Sequence, residues 1–144
     1  METFTLSRPK EILIIEDSST DAKMVLKGLA RNKRKKNIVT SVDGDQAMEY
    51  LHRTNAATKP DLILLDLNLP KKDGWEVLAE CKADPILKII PIVVFTTSEL
   101  GSEVQRCYEL GANSFVAKPF ELDSFLSTIQ SIEDYWLGVS VPAA

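Results

Sequence analysis

Leu62-Ile63-Leu64-Leu65-Asp66-Leu67-Asn68-Leu69-Pro70 is the stretch that decides the fold. A short aliphatic run that stops abruptly on an acid and passes into turn chemistry is the pattern of a strand buried on both faces of a parallel sheet. Working outward, similar runs appear at Glu11-Ile12-Leu13-Ile14-Ile15, Ile38-Val39-Thr40-Ser41-Val42, Ile92-Val93-Val94-Phe95 and Ser114-Phe115-Val116-Ala117. Helix-length segments separate them, with predicted N-terminal caps at Ser18 with Asp21, Asp73 with Glu76, and Ser102 with Gln105. The pattern is β-α repeated five times. Parallel strands need crossovers, and crossovers are right-handed, so the expected fold class is α/β: a doubly wound (βα)5 parallel five-stranded sheet with helices on both faces. In such sheets the chemistry sits beyond the carboxyl ends of the strands.

With 144 residues, 44% of them hydrophobic and 26% charged, the composition is that of one globular domain. The expected division is a single domain over 1–144, with a core of about 10–134 and a tail over 135–144. No repeat or linker-like stretch reserves room for an output domain. Runs such as Ile89-Ile90-Pro91-Ile92-Val93-Val94-Phe95 fall far short of the ~18 residues a bilayer span needs, and residues 1–10 contain no signal-like apolar core, so a cytoplasmic chain with no membrane association is expected. A formal net charge of −4 argues against direct DNA binding. Cys81 and Cys107 do not form a C-x-x-C pair and are expected to be reduced and packed.

The expected sheet brings together polar residues that are distant in sequence. Glu16 and Asp17 follow the first strand, Asp66 follows the third, Thr96 ends the fourth, and Lys118 follows the fifth. Any one of these acids alone reads as a helix cap, whereas all of them at one sheet edge read as a site. Lys118 leaves the three carboxylates with a net charge of −2 in a partly dehydrated cleft, and a divalent cation is the natural counter-charge. Oxygen ligands with waters completing an octahedron suit Mg²⁺ or Mn²⁺. Asp66, at the end of a buried strand and before a turn, is the candidate nucleophile. For attack on phosphorus, the cation, the Lys118 ammonium and the Thr96 hydroxyl would each face one equatorial oxygen of the transition state.

At these residues the chain resembles the receiver domains of two-component signalling. The resemblance rests on Glu16-Asp17, the turn from Asp66 to Pro70 with Asp73-Gly74, Thr96-Thr97, and Lys118-Pro119-Phe120, and it covers roughly residues 10–134. It implies a CheY-like, flavodoxin-like sheet of strand order 2-1-3-4-5, with Asp66 as phosphoacceptor and Thr96 and Lys118 on the phosphoryl oxygens. It also implies Asp17 as a direct metal ligand, Glu16 acting largely through water, the Asn68 carbonyl as a further ligand, Thr96 and Phe115 as the switch pair, and a cis Lys118-Pro119 bond. The chain departs from the common pattern in having Glu16 for Asp, Thr97 for a small Ala, and Phe115 for Tyr. Residues 31–36, Lys82-Ala83-Asp84-Pro85 and Ile132-Glu133-Asp134-Tyr135-Trp136-Leu137 are similar to the small response regulators of bacterial phytochromes. That narrower likeness implies a phytochrome-type sensor histidine kinase as donor and a homodimer.

In the last predicted helix, Leu122, Phe125, Leu126, Ile129, Ile132 and Trp136 mark an apolar face. Beyond it, Tyr135, Trp136, Leu137, Val139 and Val141 are expected at an interface. Arg31, Lys33, Arg34, Lys35 and Lys36 read as a solvated basic loop past the first helix. His52 reads as a surface residue. The leading expectation is therefore a stand-alone phosphoacceptor signalling protein, not an enzyme acting on external substrates. The alternatives are a phosphorylation-independent adaptor dimer and a Mg²⁺-dependent phosphohydrolase of the haloacid-dehalogenase kind. The second lacks the usual acid two residues after the nucleophile, where Asn68 stands. A flavodoxin-like carrier is disfavoured because Glu16-Asp17 would repel its phosphate.

Overall fold

The structure, a computed structural model, describes residues 8–98 and 100–143; most of the segment read for an export signal lies outside the described residues. The strands are β1 (Lys10–Ile15), β2 (Lys36–Ser41), β3 (Leu62–Leu65), β4 (Ile92–Thr96) and β5 (Ser114–Ala117). The helices are α1 (Ser19–Ala30), α2 (Gly44–His52), α3 (Gly74–Ala83), α4 (Gly101–Glu109) and α5 (Leu122–Asp134). All strand pairs are parallel, in the order β2-β1-β3-β4-β5, so the chain leaves β1 towards one edge and returns to β3 on its other side. That reversal opens a crevice at the carboxyl ends of β1 and β3.

Alternation along the strands divides the interior into two cores. Leu13, Ile15, Ile63, Leu65, Ile92 and Val94 face α2, α3 and α4, meeting Met48, Leu51, Val77, Leu78 and Cys107. Ile12, Ile14, Leu62, Leu64, Val93 and Phe95 face α1 and α5, meeting Val25, Leu29, Phe125, Ile129 and Ile132. Phe95 and Phe125 pack edge to face with centroids 5.1 Å apart. Burial on both faces holds for β3 and β4 and for the apolar part of β1. It does not hold for β2 and β5, which are edge strands with a single neighbour and are only partly covered. β2 also begins at Lys36, ahead of its apolar run, because Lys36 pairs with Lys10 and Asn37 with Glu11, extending the register past the hydrophobic stretch.

Two predicted caps form. Ser18 Oγ accepts the Asp21 N–H, and Asp73 and Glu76 make a reciprocal capping box. The cap predicted at Ser102 does not form. α4 starts after Leu100 with no side-chain cap, and the Glu103 carboxylate is taken by the Ser98 hydroxyl.

Gly44, at the start of α2, lies under the loop before α3, and a Cβ there would sit 1.9 Å from the Lys72 carbonyl oxygen. Because the obstacle is backbone, Gly44→Ala is expected to cost about 2–3 kcal/mol in urea unfolding.

The C-terminal segment does not project from the body. α5 passes into a wide turn over Tyr135–Val139 that places Leu137 in the α1/α5 core, with Trp136 partly buried against it. Leu137 is therefore a core residue and not a presented interface residue, whereas Tyr135, Val139 and Val141 are exposed. Leu122, expected on the buried face of α5, is also exposed, because it lies in the first turn, before the helix meets α1.

The basic run is not simply solvated. Lys36 Nζ donates to the Leu29 and Asn32 carbonyls, closing the end of α1. Lys36 and Arg34 also pair with Glu133 at 3.0 and 2.9 Å, and Asn32 donates to Asp134 at 2.6 Å. Gly138 leaves room for the Arg34 guanidinium, which a Cβ there would meet at 2.8 Å. Only Arg31, Lys33 and Lys35 point to solvent. No helix of the described residues is long and apolar enough to cross a membrane.

Candidate functional site

Three of the polar residues at the sheet edge are held by bonds that continue the strand ladder one residue past the strand. The Glu16 N–H donates to the Ser41 carbonyl (2.9 Å), the Asp66 N–H to Ile15 (3.0 Å) and the Lys118 N–H to Thr96 (2.7 Å). The backbone under each side chain is thereby fixed by the sheet. Gly74, first residue of α3, completes the support. Its N–H donates to the Leu67 carbonyl (3.0 Å), and a Cβ there would come within 2.4 Å of the Asp66 carbonyl oxygen. Glycine is what allows α3 to begin directly behind Asp66.

Asp66 is 7% exposed and fully engaged. Its Oδ1 accepts the Thr96 hydroxyl at 3.0 Å and the Asn68 N–H at 3.1 Å, and its Oδ2 accepts Lys118 Nζ at 3.0 Å. Lys118 donates further to Glu16 Oε1 at 2.5 Å and to Asp21 Oδ2 at 2.8 Å. The other Glu16 oxygen accepts the Ser18 N–H at 3.1 Å. Burial, opposed by the hydrogen bond from Lys118 and reinforced by the charge of Asp66, pushes the Glu16 carboxyl up to about 7. For Lys118, burial pulls downward, but the bonds to Asp21 and Glu16 and the charge of Asp66 outweigh it and hold the ammonium above the usual lysine range.

Glu16, Asp17 and Asp66 each bring a carboxylate oxygen to within 4.8 Å of the others. Glu16 and Asp66 are buried and Asp17 is exposed, so the cluster has a dry wall and a face open to water. This all-oxygen set fits a hard divalent cation that keeps part of its hydration shell. Softer ligands lie elsewhere. Cys81 and Cys107 are buried, with burial pushing their thiols up to about 12 and about 11, and His52 is on the surface 3.5 Å from Glu80.

The structure thus brings together Glu16, Asp17, Asp66, Thr96 and Lys118. Asn68 lies on the exposed turn beyond β3 and contacts Asp66 through its N–H. Phe115 is half-buried on β5 opposite Val94, with its N–H donating to the Tyr108 hydroxyl at 3.0 Å. The Lys118-Pro119 bond is trans, not cis. The preference at such bonds is small, and the four-carbon lysine stem reaches Glu16, Asp21 and Asp66 from the trans form. Sequence reasoning missed Asp21 as a site residue. Its position three residues after Ser18 read as capping chemistry; the available signal was that the same first turn of α1 follows directly on Glu16-Asp17.

The family model for the response regulator receiver domain matches residues 12–130. The chain belongs to this family. As a receiver domain it is similar to the response regulator Rcp1 of Synechocystis sp., being 44% identical over 140 residues that cover 94% of this chain and 95% of Rcp1. Its fold is similar to the crystal structure of the phosphorylated cyanobacterial phytochrome response regulator RcpA. The TM-score is 0.89 and the identity 40%, covering 95% of this chain and 100% of RcpA. The Mn²⁺-bound form of Rcp1 superposes with a TM-score of 0.87 at 41% identity, covering 94% of this chain and 100% of that one. The strand order is the CheY-like one of this receiver-domain fold.

Proposed function

We propose that this receiver domain acts as a stand-alone response regulator that takes a phosphoryl group on Asp66 from a sensor histidine kinase of the phytochrome type. The observation that carries the reading is the clamping of the Asp66 carboxylate between the Thr96 hydroxyl and the Lys118 ammonium, beside two further carboxylates. Glu16, Asp17 and Asp66, with the Asn68 carbonyl, would hold Mg²⁺, or Mn²⁺ in its place. When bound, the cation supplies positive charge to the phosphoryl oxygens and to the crowded acids. The Asp66 carboxylate attacks phosphorus while the P–N bond to the donor imidazole breaks, and the imidazole nitrogen takes up a proton. Lys118 and Thr96, already within hydrogen-bond reach of Asp66, then stabilise two of the equatorial oxygens.

Thr96 must exchange its bond to Asp66 for one to the phosphoryl group. Phe115 stands opposite Val94 on the neighbouring strand, where it can sense that exchange. Likeness to phytochrome response regulators supports the choice of donor, and the exposed Tyr135, Val139 and Val141 support a homodimer through the C-terminal segment. Signalling without direct DNA binding fits the net charge of −4, and the reading places the protein in the cytoplasm. The protein turns over no external substrate in this reading and assists only its own phosphorylation and dephosphorylation.

Incubation with labelled acetyl phosphate and Mg²⁺ should give a hydroxylamine-labile label that maps to the peptide containing Asp66. A chelator should abolish it. Label on a different residue, or equal uptake in the presence of chelator, overturns the reading.

A further inference from the structure

We infer that Asp21 is a positioning residue that keeps Lys118 available to the pocket while a divalent cation takes the carboxylates the lysine otherwise occupies. The inference rests on the proposed cation site and concerns how this chain's own residues make way for it.

An ammonium has three N–H donors and no acceptor. In Lys118 all three have carboxylate partners from different parts of the chain: Glu16 after β1 at 2.5 Å, Asp66 after β3 at 3.0 Å, and Asp21 in the first turn of α1 at 2.8 Å. Glu16 and Asp66 belong to the carboxylate cluster with Asp17, and Asp21 does not. Lys118 and an incoming cation therefore compete for the same oxygens, since the lysine is itself a counter-charge to Glu16 and Asp66. Its side chain is only 4% exposed, so a lysine displaced from both acids could not be rescued by water. Asp21 is the one partner it can retain. Its carboxylate is 25% exposed and lies outside the cation cluster, on a helix turn fixed by the Ser18 cap.

Asp21 thus makes displacement of Lys118 by the cation easier, and it leaves the ammonium charged and beside Asp66, with donors free to meet a phosphoryl oxygen. Without Asp21, every carboxylate partner of Lys118 is also a candidate cation ligand, and the two cations exclude one another.

The test is Mg²⁺ binding measured by calorimetry on the full chain, with no phosphodonor present. Asp21→Asn keeps the side-chain shape and should weaken Mg²⁺ binding about tenfold, the scale of one hydrogen bond between charged groups. Simple loss of a nearby negative charge would also weaken binding, so the same substitution is made in a Lys118→Met background. If Asp21 acts through Lys118, the Asp21→Asn effect there shrinks to about twofold or less. An equal loss in both backgrounds, or no loss in either, overturns the inference while leaving the cation site intact. Failure of the unsubstituted chain to bind Mg²⁺ overturns the site reading itself and the inference with it.

Discussion

Asp66→Asn should abolish formation of the hydroxylamine-labile phosphoprotein, with uptake from acetyl phosphate or a kinase falling at least about 10³-fold, while the chain remains folded. An amide is a poor nucleophile and forms no mixed anhydride, so the chemistry has no route through this side chain. Shape and most bonds survive. The Asn68 N–H and the Thr96 hydroxyl can still donate to the amide oxygen in the place of Oδ1. One negative charge also leaves a cluster that holds more acids than Lys118 can neutralise, so the metal-free variant should unfold at a urea concentration no lower than the parent's. A folded variant that still takes up label stoichiometrically would move the acceptor to another residue. One that is unfolded would show that Asp66 supports the fold as well as the reaction.

The second large effect lies at the opposite end of the molecule and concerns stability. Glu133 is 0% exposed, its Oε2 accepts from Arg34 and Lys36, and its Oε1 has no hydrogen-bond partner among the described residues. Its burial is tolerable only because two cations reach it. Replacing both as Arg34→Met and Lys36→Met leaves a buried carboxylate uncompensated and should cost about 3–5 kcal/mol in urea unfolding. That is a large share of the 5–15 kcal/mol, roughly, that holds a domain together. The control is Lys33→Met with Lys35→Met, which removes the same formal charge from exposed positions and should change stability by about 0.5 kcal/mol or less. Equal losses from the two pairs would mean that net charge, and not the buried contact, sets the effect.

The central strands and the acids at their ends were legible because both depend on local sequence. A strand enclosed between helices must be apolar almost throughout, so Leu62-Ile63-Leu64-Leu65 announces itself, and the polar residue that follows must stand at the sheet edge. Features that depend on distant partners were not legible. Partial coverage of β2 and β5 follows from their edge positions, which only the strand order implied by the family resemblance gives and which the residues of the two runs do not show. Arg34 looks like any loop cation until Glu133, far along the chain, is folded beneath it. Leu137 looked available for an interface because nothing in its neighbourhood shows that the chain turns after Asp134 and returns to the core. Asp21 was hidden by ambiguity: an acid in the first turn of a helix satisfies a local rule so well that a second role leaves no trace. The absent cap at Ser102 is the converse case: a local rule points to Ser102, but the helix begins earlier, after Leu100, and leaves Ser102 inside its first turn.

The fastening of α1 has a mechanical consequence. Its first turn grips Lys118 through Asp21, and its far end is tied to α5 through Asn32, Arg34 and Lys36, so these two helices form one stiff flank beside the pocket. α4 has no side-chain cap and a single buried residue, Cys107, on the other flank. A small displacement of Thr96 therefore meets unequal resistance on its two sides, and strain created at the pocket will relax towards the softer one.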